Sequence, residues 1–122
     1  METKRILVIE DSADSRELIC HLLQSAGLEV DSADNGKDGL EKALKQMPDL
    51  LLLDLEMPVM NGFGVIKELR ANSFDKPIVA ITAHNTLQDR DRCHDAGFDG
   101  VISKPFDQEN LVHILKEHLS KI

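Results

Sequence analysis

Apolar positions along the chain follow two alternating patterns. Runs of strand length recur at RILVI (residues 5–9), LEVDSA (28–33), DLLLLD (49–54), PIVAIT (77–82) and GVIS (100–103), and three of them are continuous rather than alternating. Strands apolar on both faces suit a parallel sheet covered by helices on each side, whereas a sheet with one wet face would alternate. Between the runs lie segments of helical period, each with one apolar stripe. Leu18, Ile19, Leu22 and Leu23 mark the first, Leu40, Ala43, Leu44 and Met47 the second, and Val65, Ile66 and Leu69 the third. Leu111, Ile114, Leu115 and Leu119 mark the last, after Asp107, an expected N-cap. The fourth, residues 85–96, offers only Leu87, Cys93 and Ala96 as inward positions, so it is expected to be weakly anchored and to shift most readily. The order is a strand and a helix repeated five times, an α/β architecture.

A chain of 122 residues with short loops and no repeat or linker reads as one domain, residues 1–122. Hydrophobic residues at 42% and charged residues at 30% are ordinary for a globular protein. Aromatics at 3%, without Trp or Tyr, require an aliphatic core and supply little for stacking on bases. A formal net charge of -8 repels nucleic-acid phosphates and anionic lipid, leaving proteins and cations as the expected partners, with no nucleic acid and no membrane. The apolar run after METKR is too short for a signal peptide, and no segment is long enough to span a bilayer. Cys20 and Cys93 are widely separated and read as reduced thiols of a cytoplasmic protein. The five histidines show no ligand spacing and are expected on the surface.

Candidate chemistry sits at the ends of the apolar runs. Glu10 and Asp11 follow the first strand, Asp54 the third, Thr82 the fourth and Lys104 the fifth. Open parallel sheets bind ligands beyond the carboxyl ends of their strands, where strand order reverses. If the order is 2-1-3-4-5, Glu10, Asp11 and Asp54 converge. Three crowded carboxylates need a countercharge. Mg2+ provides it, because it takes oxygen ligands, keeps several waters and is commonly shared with phosphate. Formal charges of about −3 for the carboxylates, about +2 for the metal and about +1 for Lys104 nearly cancel. A phosphoryl group could then meet the metal, the lysine, the Thr82 hydroxyl and loop N–H groups, with Asp54 as the nucleophile. Any one of these residues alone would ordinarily be a solvated loop residue, an N-cap or a β-former; their joint placement at four strand ends singles them out.

These residues carry a family resemblance. ILVIEDS, LLLLDLEMPVMNG, AITAH and ISKPF together resemble the receiver domain of two-component response regulators, like the single-domain chemotaxis regulator, over essentially the whole chain. The resemblance implies a flavodoxin-like, doubly wound fold with five parallel strands. It implies that Asp54 accepts a phosphoryl group from a phosphohistidine on a histidine kinase or histidine phosphotransfer protein, without being an enzyme beyond its own phosphorylation and dephosphorylation. Glu10, Asp11, Asp54 and the Glu56 backbone carbonyl would hold Mg2+. Thr82, Lys104 and the backbone N–H groups of Leu55 and Ala83 would bind the phosphoryl oxygens, and the Lys104–Pro105 bond would be cis. Binding of a downstream protein effector, or of a second copy as a phosphorylation-dependent homodimer, would be switched through the fourth helix, fifth strand and fifth helix.

Two residues depart from the pattern. Val101 stands where many members carry an aromatic residue or His that moves with the threonine, and Glu10 replaces the commoner Asp. Glu56 and His84 occupy the positions that in the family tune phosphoryl lifetime. The stretch from AITAH to ISKPF is also similar to receivers of hybrid sensor kinases, and Met1 immediately before the first strand favours a free-standing relay receiver over one cut from such a kinase. Two other classes fit less well. A phosphatase of the haloacid dehalogenase type needs Asp where Glu56 stands and a cap domain; a flavodoxin-like FMN carrier needs a phosphate-binding loop where EDSADS would repel phosphate. A binding module that has lost phosphorylation would be expected to lack site residues that are all present.

Overall fold

The computed structural model describes residues 3–58, 60–83 and 86–120. Five strands, β1 (Arg5–Ile9), β2 (Glu29–Ala33), β3 (Leu50–Asp54), β4 (Ile78–Thr82) and β5 (Gly100–Ser103), alternate with five helices. These are α1 (Ala13–Ser25), α2 (Gly36–Gln46), α3 (Gly62–Ala71), α4 (Leu87–Ala96) and α5 (Gln108–Leu119). All strands pair in parallel in the order β2-β1-β3-β4-β5, as expected for the doubly wound fold.

Side chains alternate across each strand, and the two faces feed two cores. Leu7, Ile9, Leu51, Leu53, Ile78 and Ala80 face Ala43 of α2, Val65, Ile66 and Leu69 of α3, and Cys93 of α4. Ile6, Val8, Leu50, Leu52, Val79 and Ile81 face Ile19 and Leu23 of α1 and Leu111, Leu115 and Leu119 of α5. The four leucines of β3 are therefore split two and two between the cores, which is why that strand is apolar throughout. β2, at the edge, alternates in burial and carries Glu29 and Asp31, charges that discourage pairing with another sheet.

Capping explains several boundaries. Asn61 accepts the Gly64 N–H at 3.1 Å to start α3, and Asp107 accepts the Asn110 N–H at 2.7 Å to start α5, as its position suggested. Gly97, at φ 102, ends α4 in the left-handed region.

Three apolar stripes are narrower than their pattern implied. Leu18 on α1 and Met47 at the end of α2 are exposed, since helices lying on a sheet bury only the stripe directly beneath them. On α4, Leu87 is 77% exposed rather than inward, leaving Cys93 as the buried residue and Ala96 half-buried. A Thr86–Asp89 capping box holds its first turn together, and the Arg92 guanidinium, 4.1 Å from the centre of the Phe63 ring, adds a contact to α3. His21, His94 and His113 are exposed as expected, but His118 is half-buried and its imidazole lies over Gly100, where a Cβ would collide with it.

Candidate functional site

Among the described residues, the buried polar or charged side chains are Glu10 (1% exposed), Asp54 (2%) and Thr82 (1%). All three stand at or just beyond the carboxyl ends of neighbouring strands. Register brings them to within one residue of level: Ile9 pairs with Leu53, Asp54 with Ile81, and Thr82 with Ser103, the residue before Lys104. The loop beneath is tight, because Gly62 lies so close to it that a Cβ would sit 2.9 Å from the Asp54 carbonyl oxygen and 2.8 Å from Leu55 Cδ2.

Glu10, Asp11 and Asp54 each offer a carboxylate oxygen within 4.8 Å of the others. Lys104 Nζ lies 3.2 Å from Glu10 Oε1 and 3.6 Å from Asp54 Oδ2. Burial, and then the adjacent Glu10 carboxyl, push the Asp54 pKa up to about 6, against the Glu56 N–H and the Lys104 charge. Burial pulls the Lys104 ammonium down, but Asp54 and Glu10 outweigh it and hold the pKa above the usual lysine value. Glu10 Oε2 is buried without a hydrogen-bond partner. An orphaned carboxylate oxygen beside two further carboxylates, one of them exposed on Asp11, suits a hard cation that retains waters. The donor set fits Mg2+.

One backbone group departs from expectation. The Leu55 N–H donates to the Ile81 carbonyl at 3.1 Å, continuing the β3–β4 ladder, so it is not available to a phosphoryl group. The neighbouring Glu56 N–H, outside the ladder, donates to Asp54 Oδ1 at 3.0 Å. The Ala83 N–H does lie in the site, but it donates to Glu56 Oε1 at 3.1 Å. The Thr82 hydroxyl donates to the same oxygen at 2.6 Å. Strand length alone cannot reveal which of two successive N–H groups the ladder consumes, nor where the Glu56 side chain turns. The Lys104–Pro105 bond is cis. His84, a position expected to tune phosphoryl lifetime, lies outside the described residues.

Residues 6–116 match the family model described as "Response regulator receiver domain". The chain belongs to the response regulator receiver domain family. This receiver domain is 39% identical over 108 residues to the transcriptional regulatory protein DltR of Streptococcus agalactiae serotype III (strain NEM316), covering 88% of this chain and 48% of that protein. It is 36% identical over 121 residues to the phosphate regulon transcriptional regulatory protein PhoB of Escherichia coli (strain K12), covering 98% of this chain and 53% of that protein. The chain thus spans about half the length of the curated relatives it matches. Among solved structures, the chemotaxis protein CheY4 of Vibrio cholerae superposes with a TM-score of 0.90 at 33% identity, covering 95% of this chain and 98% of that one. The receiver domain is a phosphoacceptor of two-component signalling, and Glu10, Asp11 and Asp54 form an acidic cluster in it. No helix among the described residues is long and apolar enough to cross a membrane.

Proposed function

We propose that this receiver domain takes a phosphoryl group onto Asp54 from a phosphohistidine of a histidine kinase or histidine phosphotransfer protein. The observation that carries the assignment is the position of Asp54: buried at the end of β3, with one oxygen held by the Glu56 N–H and the other facing Lys104. An Asp54 oxygen attacks the phosphorus, a P–O bond forms as the P–N bond breaks, and the electron pair of that bond returns to the imidazole nitrogen. The product is an acyl phosphate. Mg2+, held by the Glu10, Asp11 and Asp54 carboxylates and the Glu56 backbone carbonyl, would supply positive charge to the phosphoryl oxygens. Lys104, the Thr82 hydroxyl and the Glu56 and Ala83 N–H groups bind those oxygens and orient them. The domain's catalysis is confined to its own phosphorylation and dephosphorylation.

Output passes to a downstream protein, or to a second copy, through the face formed by α4, β5 and α5. Phosphorylation recruits Thr82 at the end of β4, and α4, anchored by Cys93, is the helix least committed to the core. Val101 supplies no aromatic lever. The relatives named above are transcriptional regulators; in any such assembly, the net charge of -8 argues for nucleic-acid contacts made outside these residues.

Incubation with Mg2+ and acetyl phosphate tests the assignment. A mass increase of one phosphoryl group, abolished by Asp54→Asn, is expected; labelling that survives the substitution would overturn it.

A further inference from the structure

A single oxygen of Glu56 accepts both the Thr82 hydroxyl, at 2.6 Å, and the Ala83 N–H, at 3.1 Å. These two donors belong to the set assigned above to a phosphoryl oxygen, and here an anionic oxygen from the chain itself receives them. Thr82 is buried, so its hydroxyl has little water to turn to, and its hydrogen bond to a carboxylate is of the strong, charge-assisted kind.

We propose that the Glu56 carboxylate is an internal occupant of the phosphoryl-oxygen site, which an incoming phosphoryl group must displace from Thr82 and Ala83. This rests on the reading of Asp54 as phosphoacceptor and extends it to a residue that sets how readily the site is filled.

Two physical consequences follow from the geometry. A phosphoryl group on Asp54 carries about −1.5 to −2 charge, so it repels the Glu56 carboxylate while competing for the same hydrogens. Resting and phosphorylated states therefore exchange one anionic acceptor for another, and the Thr82 hydroxyl changes partner without becoming unsatisfied. The displaced side chain has room to turn. A cleft of about 320 Å³ opens beside Glu56, lined also by Asn61, Phe63, Asp89 and Arg92, and it brings the carboxylate alongside α4. Glu56 is thus a positioning residue: its backbone serves Asp54, while its side chain holds the donors that phosphorylation needs.

The test uses the whole chain with Glu56→Gln, which keeps shape and loses charge, and Glu56→Ala, which loses both. In the resting protein, the Ala83 amide is expected to exchange faster in Glu56→Ala. Beryllofluoride, titrated in the presence of Mg2+, should bind about tenfold tighter to Glu56→Ala than to the wild type, with Glu56→Gln between them. The gain should shrink when Thr82→Ala is added, because one contested donor is then gone. Unchanged Ala83 exchange, equal or weaker beryllofluoride binding, or a gain indifferent to Thr82 would each overturn the inference. If Asp54→Asn still abolishes binding in that case, the phosphoacceptor reading survives; if no form binds beryllofluoride or is labelled by acetyl phosphate, that reading fails and carries the inference with it.

Discussion

Lys104 reaches Glu10 across 94 residues of sequence, its ammonium 3.2 Å from Glu10 Oε1. Glu10 is 1% exposed and Lys104 is 27% exposed at the side chain, so the ion pair is sheltered on one side and wet on the other. Removing the cation strands two buried carboxylates, Glu10 and Asp54. Lys104→Met should therefore destabilise the metal-free protein by about 1–3 kcal/mol, less than a fully buried pair would lose because of the partial exposure. Adding Glu10→Gln should recover part of that loss. Urea unfolding of the single and double variants in a chelator measures the coupling, and strict additivity would contradict it.

Asp54 gives a pH dependence with a definite sign. Its folded pKa of about 6 exceeds the ordinary 3.8, because burial and Glu10 disfavour the carboxylate. Between these values the folded state binds more protons than the unfolded state, so metal-free stability falls as pH rises through the interval. Asp54→Asn removes that dependence. The variant should gain about 1–3 kcal/mol over the wild type above pH ~7 and little below pH ~4. Unfolding in urea with a chelator, repeated across this range, checks the slope; a constant gap would count against the assigned shift.

Mg2+ should stabilise the folded chain through the same carboxylates. A ligand at 100 times its dissociation constant contributes about 2.7 kcal/mol, equivalent to a rise of several degrees in Tm for a domain of this size. Asp11→Asn, at the exposed ligand, should weaken the response with little effect on metal-free stability. Thermal unfolding with and without Mg2+ is the measurement, and an undiminished response in Asp11→Asn would remove that residue from the ligand set.

Arg70 ties the far end of the sheet together. Its guanidinium donates to the carbonyls of Phe74 (2.8 Å), Lys76 (3.0 Å) and Gly97 (3.1 Å) and to Asp99 Oδ2 (3.0 Å). Asp99 Oδ2 also accepts the Ile78 N–H at 2.8 Å. α3, the start of β4 and the turn after α4 thus share one cation. Arg70→Met should cost about 1–3 kcal/mol and speed amide exchange in α4 and β5 more than in β1. Lys in its place should rescue little, since a single ammonium cannot span four acceptors in a fork. Hydrogen exchange resolved by residue would show whether the effect is local.

Much of the site was legible because parallel sheets turn sequence position into spatial position. Neighbouring strands end within one residue of each other, so Glu10, Asp54, Thr82 and Lys104 could be placed together from run lengths once the strand order was assumed. Leu55 shows where such reading stops. Its N–H is adjacent to the phosphoacceptor in sequence yet belongs to the ladder, a distinction of one residue that only pairing with Ile81 settles. Leu87 shows another stop, since helical phase alone made it inward while the rotation of α4 on the sheet left it in solvent.

The sequence by itself determined the architecture and the cast of the site, because buried strands must be continuously apolar and polar residues ending them must face the sheet's rim. The orphaned oxygen of Glu10, the raised Asp54 pKa and the turn of Glu56 onto Thr82 and Ala83 were decided only in three dimensions. These depend on distances of a few ångströms between residues far apart in the chain. Hydrogen bonding and desolvation change steeply over that range, and no pattern along a single strand or helix encodes it.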